Sequence, residues 1–289
     1  AKNKEWEIRL MEVYAAMVDR MDQGPGRVIG ALEKKGILEN TLFMFIADNG
    51  GCAEGMGRKE GIQYKDPDPD TLKPMKATDL QMDMIPKRTR EGIVVKQGTG
   101  VIPGGPDTYH GYGKAWANAS NTPFRQYKHW VHEGGISTPL VAHWPKGIAP
   151  RLKGEFDTQP THLIDLMATF VDLGKANYPK TSDGQEIVPM QGISMKPAFS
   201  GKKLKRINPI FWEHEGNRAI RIGKWKLVAK GSLGPWELYD LDADRSELND
   251  LTKKYPKKAE KMASQWEEWA IEAKAKPWPW NKQKKKKKS

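Results

Sequence analysis

The sequence predicts an α/β fold: a mostly parallel sheet flanked by helices, with a small antiparallel sheet plus helix at the C-terminal end. Three observations carry this. Residues 4–35 have helical spacing of apolar side chains and lead through a short connection into Thr41–Ala47, which is almost continuously apolar over strand length. A second apolar run, Thr138–Pro145, is followed by an amphipathic stretch, Thr161–Leu173, so that strand and helix alternate. After Gly201 the texture changes to four short apolar runs separated by Gly, Asp or Asn, the pattern of hairpins.

Each element has its own signal. In 4–35, Leu10, Tyr14, Met17 and Met21 step by three or four, and Met11 and Val18 widen the stripe. Gly24-Pro25-Gly26 predicts a kink or a break into two helices, because proline lacks a backbone donor and crowds the preceding turn. The second piece ends at Gly36, suited to a C-cap. Thr41–Ala47 lacks polar alternation, so it is expected to be buried on both faces, as in a parallel sheet. From Cys52 to about Asn121 periodicity disappears under repeated Pro and Gly, and so long a loop within a domain is functional or an insertion. In Thr161–Leu173 the side chains of Leu163, Leu166, Met167, Phe170 and Val171 share one side. The runs Ile207–Trp212, Arg218–Ile222, Trp225–Val228 and Trp236–Leu241 read as the antiparallel sheet, and Pro256–Lys274, with Met262, Trp266, Trp269 and Ile271, as the last helix.

Composition bounds the function. The chain has 289 residues, long enough to bury a substantial core, and carries a net charge of +12. Its longest strongly apolar run, Leu42–Ala47, is far short of the roughly 20 residues of a membrane-spanning helix. A single cysteine, Cys52, excludes a disulfide framework and a Cys-rich zinc module, and the six histidines show no zinc spacing. Half of the net charge belongs to Lys282 and Lys284–Lys288. Such a block repels itself and is expected to be a solvated, disordered tail; the other reading is an anchor for nucleic acid, anionic polysaccharide or membrane. No aromatic platform or nucleic-acid motif is interleaved with it, so no specific nucleic acid is expected.

Two constellations could carry chemistry. Asp48-Asn49 follows the apolar strand, and in open α/β sheets ligands gather beyond the carboxyl ends of strands. A carboxylate beside an amide carbonyl, with no sulfur or imidazole, suits Ca²⁺ or Mg²⁺, while an ordinary Asp/Asn turn explains the same residues. The second is Asn121–Ile136, which packs Arg125, Lys128, His129 and His132 around aromatics and ends in Glu133-Gly134-Gly135. Its cations suit a sulfate or phosphate group, or are the solvated charges of a surface loop. Cys52 has no base beside it and reads as a small buried or half-buried thiol.

At these residues the sequence resembles the type I sulfatases of the alkaline-phosphatase-like superfamily. The carriers are the strand into DNGG at 48–51 and NTPFRQYKHWVHEGGISTPLVAHWPKGI at 121–148. HLIDLMATFVDL at 162–173, QGISM at 191–195, GKWKLV at 223–228 and WELYDLDADRSELNDL at 236–251 agree in the same order. The resemblance implies an alkaline-phosphatase-like fold and hydrolysis of sulfate esters by a formylglycine nucleophile with Ca²⁺. It implies that Asp48 and Asn49 are metal ligands and that Lys128 contacts the sulfate as a catalytic residue; Arg125 and His132 flank it as candidate substrate-binding residues. The expected partner is a small sulfate ester or a sulfated glycan, and family habit implies a periplasmic or secreted protein. The family's Cys/Ser-x-Pro-x-Arg nucleophile motif and its first Asp-Asp metal pair do not occur in this sequence. Together with an opening, Ala1-Lys2-Asn3-Lys4, that enters a helix at once, this predicts that the chain is the C-terminal part of a sulfatase, inactive alone. The expected organisation is 1–200 as part of the catalytic α/β domain, 201–281 as a small α+β subdomain and 282–289 as the tail. The alternatives are a phosphodiesterase or phosphonate hydrolase of the same superfamily, and a non-catalytic polyanion-binding module. Substrate-selecting residues are expected in 52–120 and near Glu213-His214-Glu215.

Overall fold

The computed structural model describes residues 3–65, 72–276 and 278. In chain order these form helix α1 (Lys4–Lys34), strands β1 (Phe43–Ile46), β2 (Gln63–Tyr64) and β3 (Lys96–Gln97), helices α2 (Gly113–Ser120) and α3 (Glu133–Ile136), strand β4 (Leu140–His143), helix α4 (Ile164–Leu173), strands β5 (Thr181–Ser182), β6 (Gln185–Glu186), β7 (Ile210–His214), β8 (Asn217–Ile222), β9 (Trp225–Ala229) and β10 (Trp236–Asp240), and helix α5 (Pro256–Glu272). The lysine tail at 282–289 lies outside the described residues. No helix among them is long and apolar enough to cross a membrane. The chain divides into two compact units, one of Ala1–Arg27 with Asp48–Thr138 and one of Val28–Ala47 with Pro139–Ser289.

The expected break in α1 is not there. The helix runs from Lys4 to Lys34 with Pro25 inside it. A proline withdraws one i→i−4 donor, and the helix crosses that gap on its other bonds. Neither flanking glycine is required by crowding: a Cβ on Gly26 would meet nothing within 4 Å and one on Gly24 only the Arg27 guanidinium at 3.9 Å. The boundary between the units falls just past this proline, at Arg27/Val28. The C-terminus closes as expected: Gly36, at φ 68°, donates to Glu33 O and Ile37 donates to Leu32 O, the paired bonds of a Schellman cap.

In the first unit, α1 packs through Leu10 against Tyr112 and Ala117, with Trp6, Met11, Cys52, Trp116 and Tyr127 around them. Cys52 is half-buried there as a free thiol. Of the predicted apolar stripe only Leu10 is buried, and Met17 stays 65 % exposed. Polar ties fasten the irregular 52–112 segment onto α1. Trp6 Nε1 donates to Val101 O at 3.0 Å, and Arg58 pairs with Glu7 while donating to Tyr112 O at 3.2 Å. Lys96 and Asp107 pair at 2.9 Å.

In the second unit β1 and β4 pair antiparallel, with Phe43 opposite His143 and Ile46 opposite Leu140. The parallel sheet expected around Thr41–Ala47 is not what β1 forms among the described residues, where its partner strand β4 is antiparallel. The strands are also less covered than their composition suggests, with Ile46 and Val141 exposed. The α/β class and the small C-terminal antiparallel sheet stand as expected. That sheet has the order β10-β9-β8-β7, a meander of hairpins. Its Ile220, Leu227 and Leu238 bury against Met262, Trp266 and Ala270 of α5, and Trp266 Nε1 donates to Trp212 O at 3.0 Å. Beneath lies a wholly buried ion pair, Lys226 Nζ to Glu247 Oε1 at 2.8 Å.

Candidate active site

The candidate site is a seam between two loops of the first unit, Asp48–Gly51 and Asn121–Gly135. Three bonds close it. Gly50 N donates to Gly135 O at 3.0 Å, Lys128 N donates to Gly51 O at 3.0 Å, and Gly51 N donates to Asn121 Oδ1 at 2.9 Å. Asn121 also braces its own loop, its Nδ2 donating to Gln126 O at 3.0 Å. That loop turns through two left-handed residues, Gln126 (φ 70°) and His129 (φ 94°), and contains a cis Thr122–Pro123 peptide. The seam demands glycine. A Cβ on Gly50 would overlap the Gly134 carbonyl, and one on Gly134 would overlap the carbonyls of Arg125 and Gln126. At both glycines the requirement is close approach of backbone to backbone.

The seam sets the backbone of Lys128 against Gly51, in the same loop as Asp48 and Asn49. Asp48 is exposed, and among the described residues its carboxylate accepts no hydrogen bond. Asn49 is oriented by its Nδ2 donating to Gly50 O at 2.9 Å, which leaves its Oδ1 as an acceptor. A carboxylate and an amide oxygen are hard donors that fit Ca²⁺ or Mg²⁺, and they supply two of the roughly six to eight oxygens that Ca²⁺ takes. Lys128 is held at its backbone by Gly51, and its Nζ lies 3.8 Å from Glu54 Oε1, with both side chains about half exposed. Glu54 was not singled out in the sequence; an acid six residues beyond Asp48 has no local signature.

Arg125 and His132 take different places. Arg125 is half-buried, and its carbonyl accepts Gly134 N at 3.0 Å. His132 is fully buried, and its carbonyl accepts Gly135 N at 2.8 Å at the start of α3. A side chain with no exposed surface offers nothing to a substrate, so His132 supports the loop from inside. Under the seam, burial pushes the Tyr112 phenol above its usual range and the His110 imidazole below its own, the latter against a bond to Gly98 O. Glu213, His214 and Glu215 belong to the other unit, at the β7–β8 turn, where Glu215 and Gly216 are both left-handed.

The family model described as Sulfatase matches residues 1–176, and that described as N-sulphoglucosamine sulphohydrolase, C-terminal, matches residues 124–274. The chain belongs to the sulfatase family. Its type is the type I sulfatase of the alkaline phosphatase superfamily. An uncharacterized sulfatase of Schizosaccharomyces pombe is 32% identical over 272 residues, covering 92% of this chain and 44% of that protein. An arylsulfatase of Klebsiella aerogenes is 27% identical over 215 residues, covering 71% and 40%. The chain thus spans less than half the length of these sulfatases. Among solved structures, Ps i-CgsB superposes with a TM-score of 0.58 at 24% identity, over 89% of this chain and 42% of that one. BT4656, solved with its substrate D-glucosamine-2-N,6-O-disulfate, gives 0.50 at 19% identity over 91% and 41%. These likenesses bear on the fold.

Proposed function

We propose that the whole protein hydrolyses sulfate esters carried on a saccharide, with a formylglycine nucleophile and Ca²⁺. The observation that carries this reading is the Lys128 N–H bond to Gly51 O, which fastens the backbone of Lys128 to the loop that bears Asp48 and Asn49. Asp48 and Asn49 would hold the cation, which when bound supplies positive charge for the oxygens of the transferred group. Lys128 contributes a second positive charge, which steadies the charge that builds on the sulfate oxygens in the transition state. Gly50, Gly134 and Gly135 keep that spacing short. The saccharide part of the reading draws support from relatives solved with such ligands, Ps i-CgsB with k-i-k-neocarrahexaose and BT4656 with a disulfated glucosamine.

The test is substrate choice by the whole protein. Sulfate release from a sulfated disaccharide should exceed hydrolysis of a phosphate diester of the same alcohol. Faster turnover of the phosphate diester would replace this reading with a phosphodiesterase of the same superfamily.

A further inference from the structure

The segment Lys196–Arg206, KPAFSGKKLKR, carries five cations and no acid. The structure divides them into two kinds. Lys196 Nζ lies 3.1 Å from Asp172 Oδ1, while Asp172 Oδ2 accepts Ser194 Oγ at 2.7 Å. Arg206 pairs with the buried Asp165, whose carboxylate also accepts the backbone N–H groups of His162 at 2.7 Å and Ile193 at 2.9 Å. These two pairs pin the ends of the segment. The three lysines between them, Lys202, Lys203 and Lys205, are exposed and make no ion pair among the described residues. Together with Ile193, Ser194 and Pro197 they line an open groove of about 570 Å³.

The loop beneath the lysines is braced. Gln159 Oε1 accepts Leu204 N at 2.6 Å and Gln159 Nε2 donates to Lys202 O at 3.3 Å; Asp157 fixes that amide from the other side. Arg151 donates to Ser200 O at 2.6 Å, adding a further cation beside the left-handed Gly201. Three like charges on a braced backbone, none of them in an ion pair among the described residues, repel one another, and a bound polyanion relieves that repulsion. Ammonium groups act as point charges that accept sulfates at variable spacing, and the apolar Ile193 and Pro197 suit the C–H face of a sugar ring.

We propose that this groove is a binding site for a sulfated oligosaccharide, one that holds the chain of the saccharide without cleaving it. The proposal rests on the sulfated-saccharide reading above, but not on turnover. It is tested by titrating the purified chain into a fluorescein-labelled chondroitin sulfate hexasaccharide and following polarisation at several salt concentrations. The groove variant K202Q/K203Q/K205Q should lose about tenfold in affinity and show a shallower salt dependence. The control K253Q/K257Q/K261Q removes the same charge from the exposed lysines around α5 and should stay within twofold. Circular dichroism checks that both variants fold.

A groove variant within twofold of wild type overturns the proposal, as does a control that loses as much. Equal affinity for the desulfated hexasaccharide, or for a single-stranded DNA hexamer, overturns the assignment to sulfated saccharide. The two readings fail separately. Groove binding without sulfate release by the whole protein refutes only the hydrolytic reading, and sulfate release with an unaffected groove variant refutes only the groove.

Discussion

Gly50→Ala puts the loop seam to the test, because it adds one methyl group where the structure has no room. The new Cβ would overlap the Gly134 carbonyl oxygen, which is backbone and cannot rotate away. To accept it the two loops must part, stretching the three bonds Gly50 N to Gly135 O, Lys128 N to Gly51 O and Gly51 N to Asn121 Oδ1. At about 1 kcal/mol net for each, their loss costs about 3 kcal/mol. Against this, Gly→Ala restricts the unfolded chain and returns about 0.4–1 kcal/mol. The crowding wins, and the variant should be destabilised by about 2 kcal/mol. Gly26→Ala is the matched control: its Cβ meets nothing within 4 Å inside a helix, so it should stabilise by up to about 1 kcal/mol. Urea unfolding followed by tryptophan fluorescence reads both. A Gly50→Ala chain as stable as wild type would refute the seam.

Three more outcomes follow from particular contacts. Lys226→Met strands Glu247 as an unpaired charge in a fully buried site and should cost about 3–5 kcal/mol, whereas Lys226→Met/Glu247→Met should recover most of it; a double variant as weak as the single one would contradict this. Burial holds the His162 imidazole below the usual 6.5, with Asp165 opposing and Arg206 adding to the shift. The unfolded chain therefore takes up that proton first, so stability is full above about pH 6.5 and falls as pH drops below it; His162→Phe should flatten the urea midpoint between pH 7.5 and 5, and an unchanged slope would sink the assignment. Glu54→Gln removes a carboxylate competing for Lys128 and should lower KM for a sulfate ester about twofold in the whole protein, with kcat unchanged; a fall in kcat would make Glu54 a positioning residue instead.

What was legible in the sequence was periodicity and motif. α5 and the four runs of the C-terminal sheet were readable because each buries one face against a neighbour, and burial writes itself into the spacing of apolar residues. α4 was readable as a helix by its spacing, but Leu163, Met167 and Phe170 of the expected apolar side are exposed and its buried residues are Asp165, Ala168 and Thr169. The direction of β4 against β1 was not readable, since an apolar strand reads the same in either sense. α3 was missed because Glu133-Gly134-Gly135-Ile136 has poor helix propensity; the bond of Gly50 to Gly135 and that of Arg125 to Gly134 hold it in place. The β5–β6 hairpin did carry a signal, Asp183-Gly184, both left-handed as a two-residue turn requires, but its strands are two residues long and exposed. At the candidate site, Asp48, Asn49 and Lys128 were singled out by motif, while the bond of Lys128 N to Gly51 O, the burial of His132 and the reach of Glu54 to Lys128 depend on how two distant loops meet.

The measurement that tests the central claim most directly is sulfate release by the whole protein carrying Lys128→Ala, with Asp48→Ala beside it. If the seam is the sulfate-transfer site, Lys128→Ala lowers kcat/KM about 10²-fold or more while the urea midpoint stays within error, because a half-exposed side chain is removed without disturbing the backbone bond to Gly51. Asp48→Ala should lose activity that added Ca²⁺ does not restore. Activity of Lys128→Ala within threefold of wild type would contradict the account.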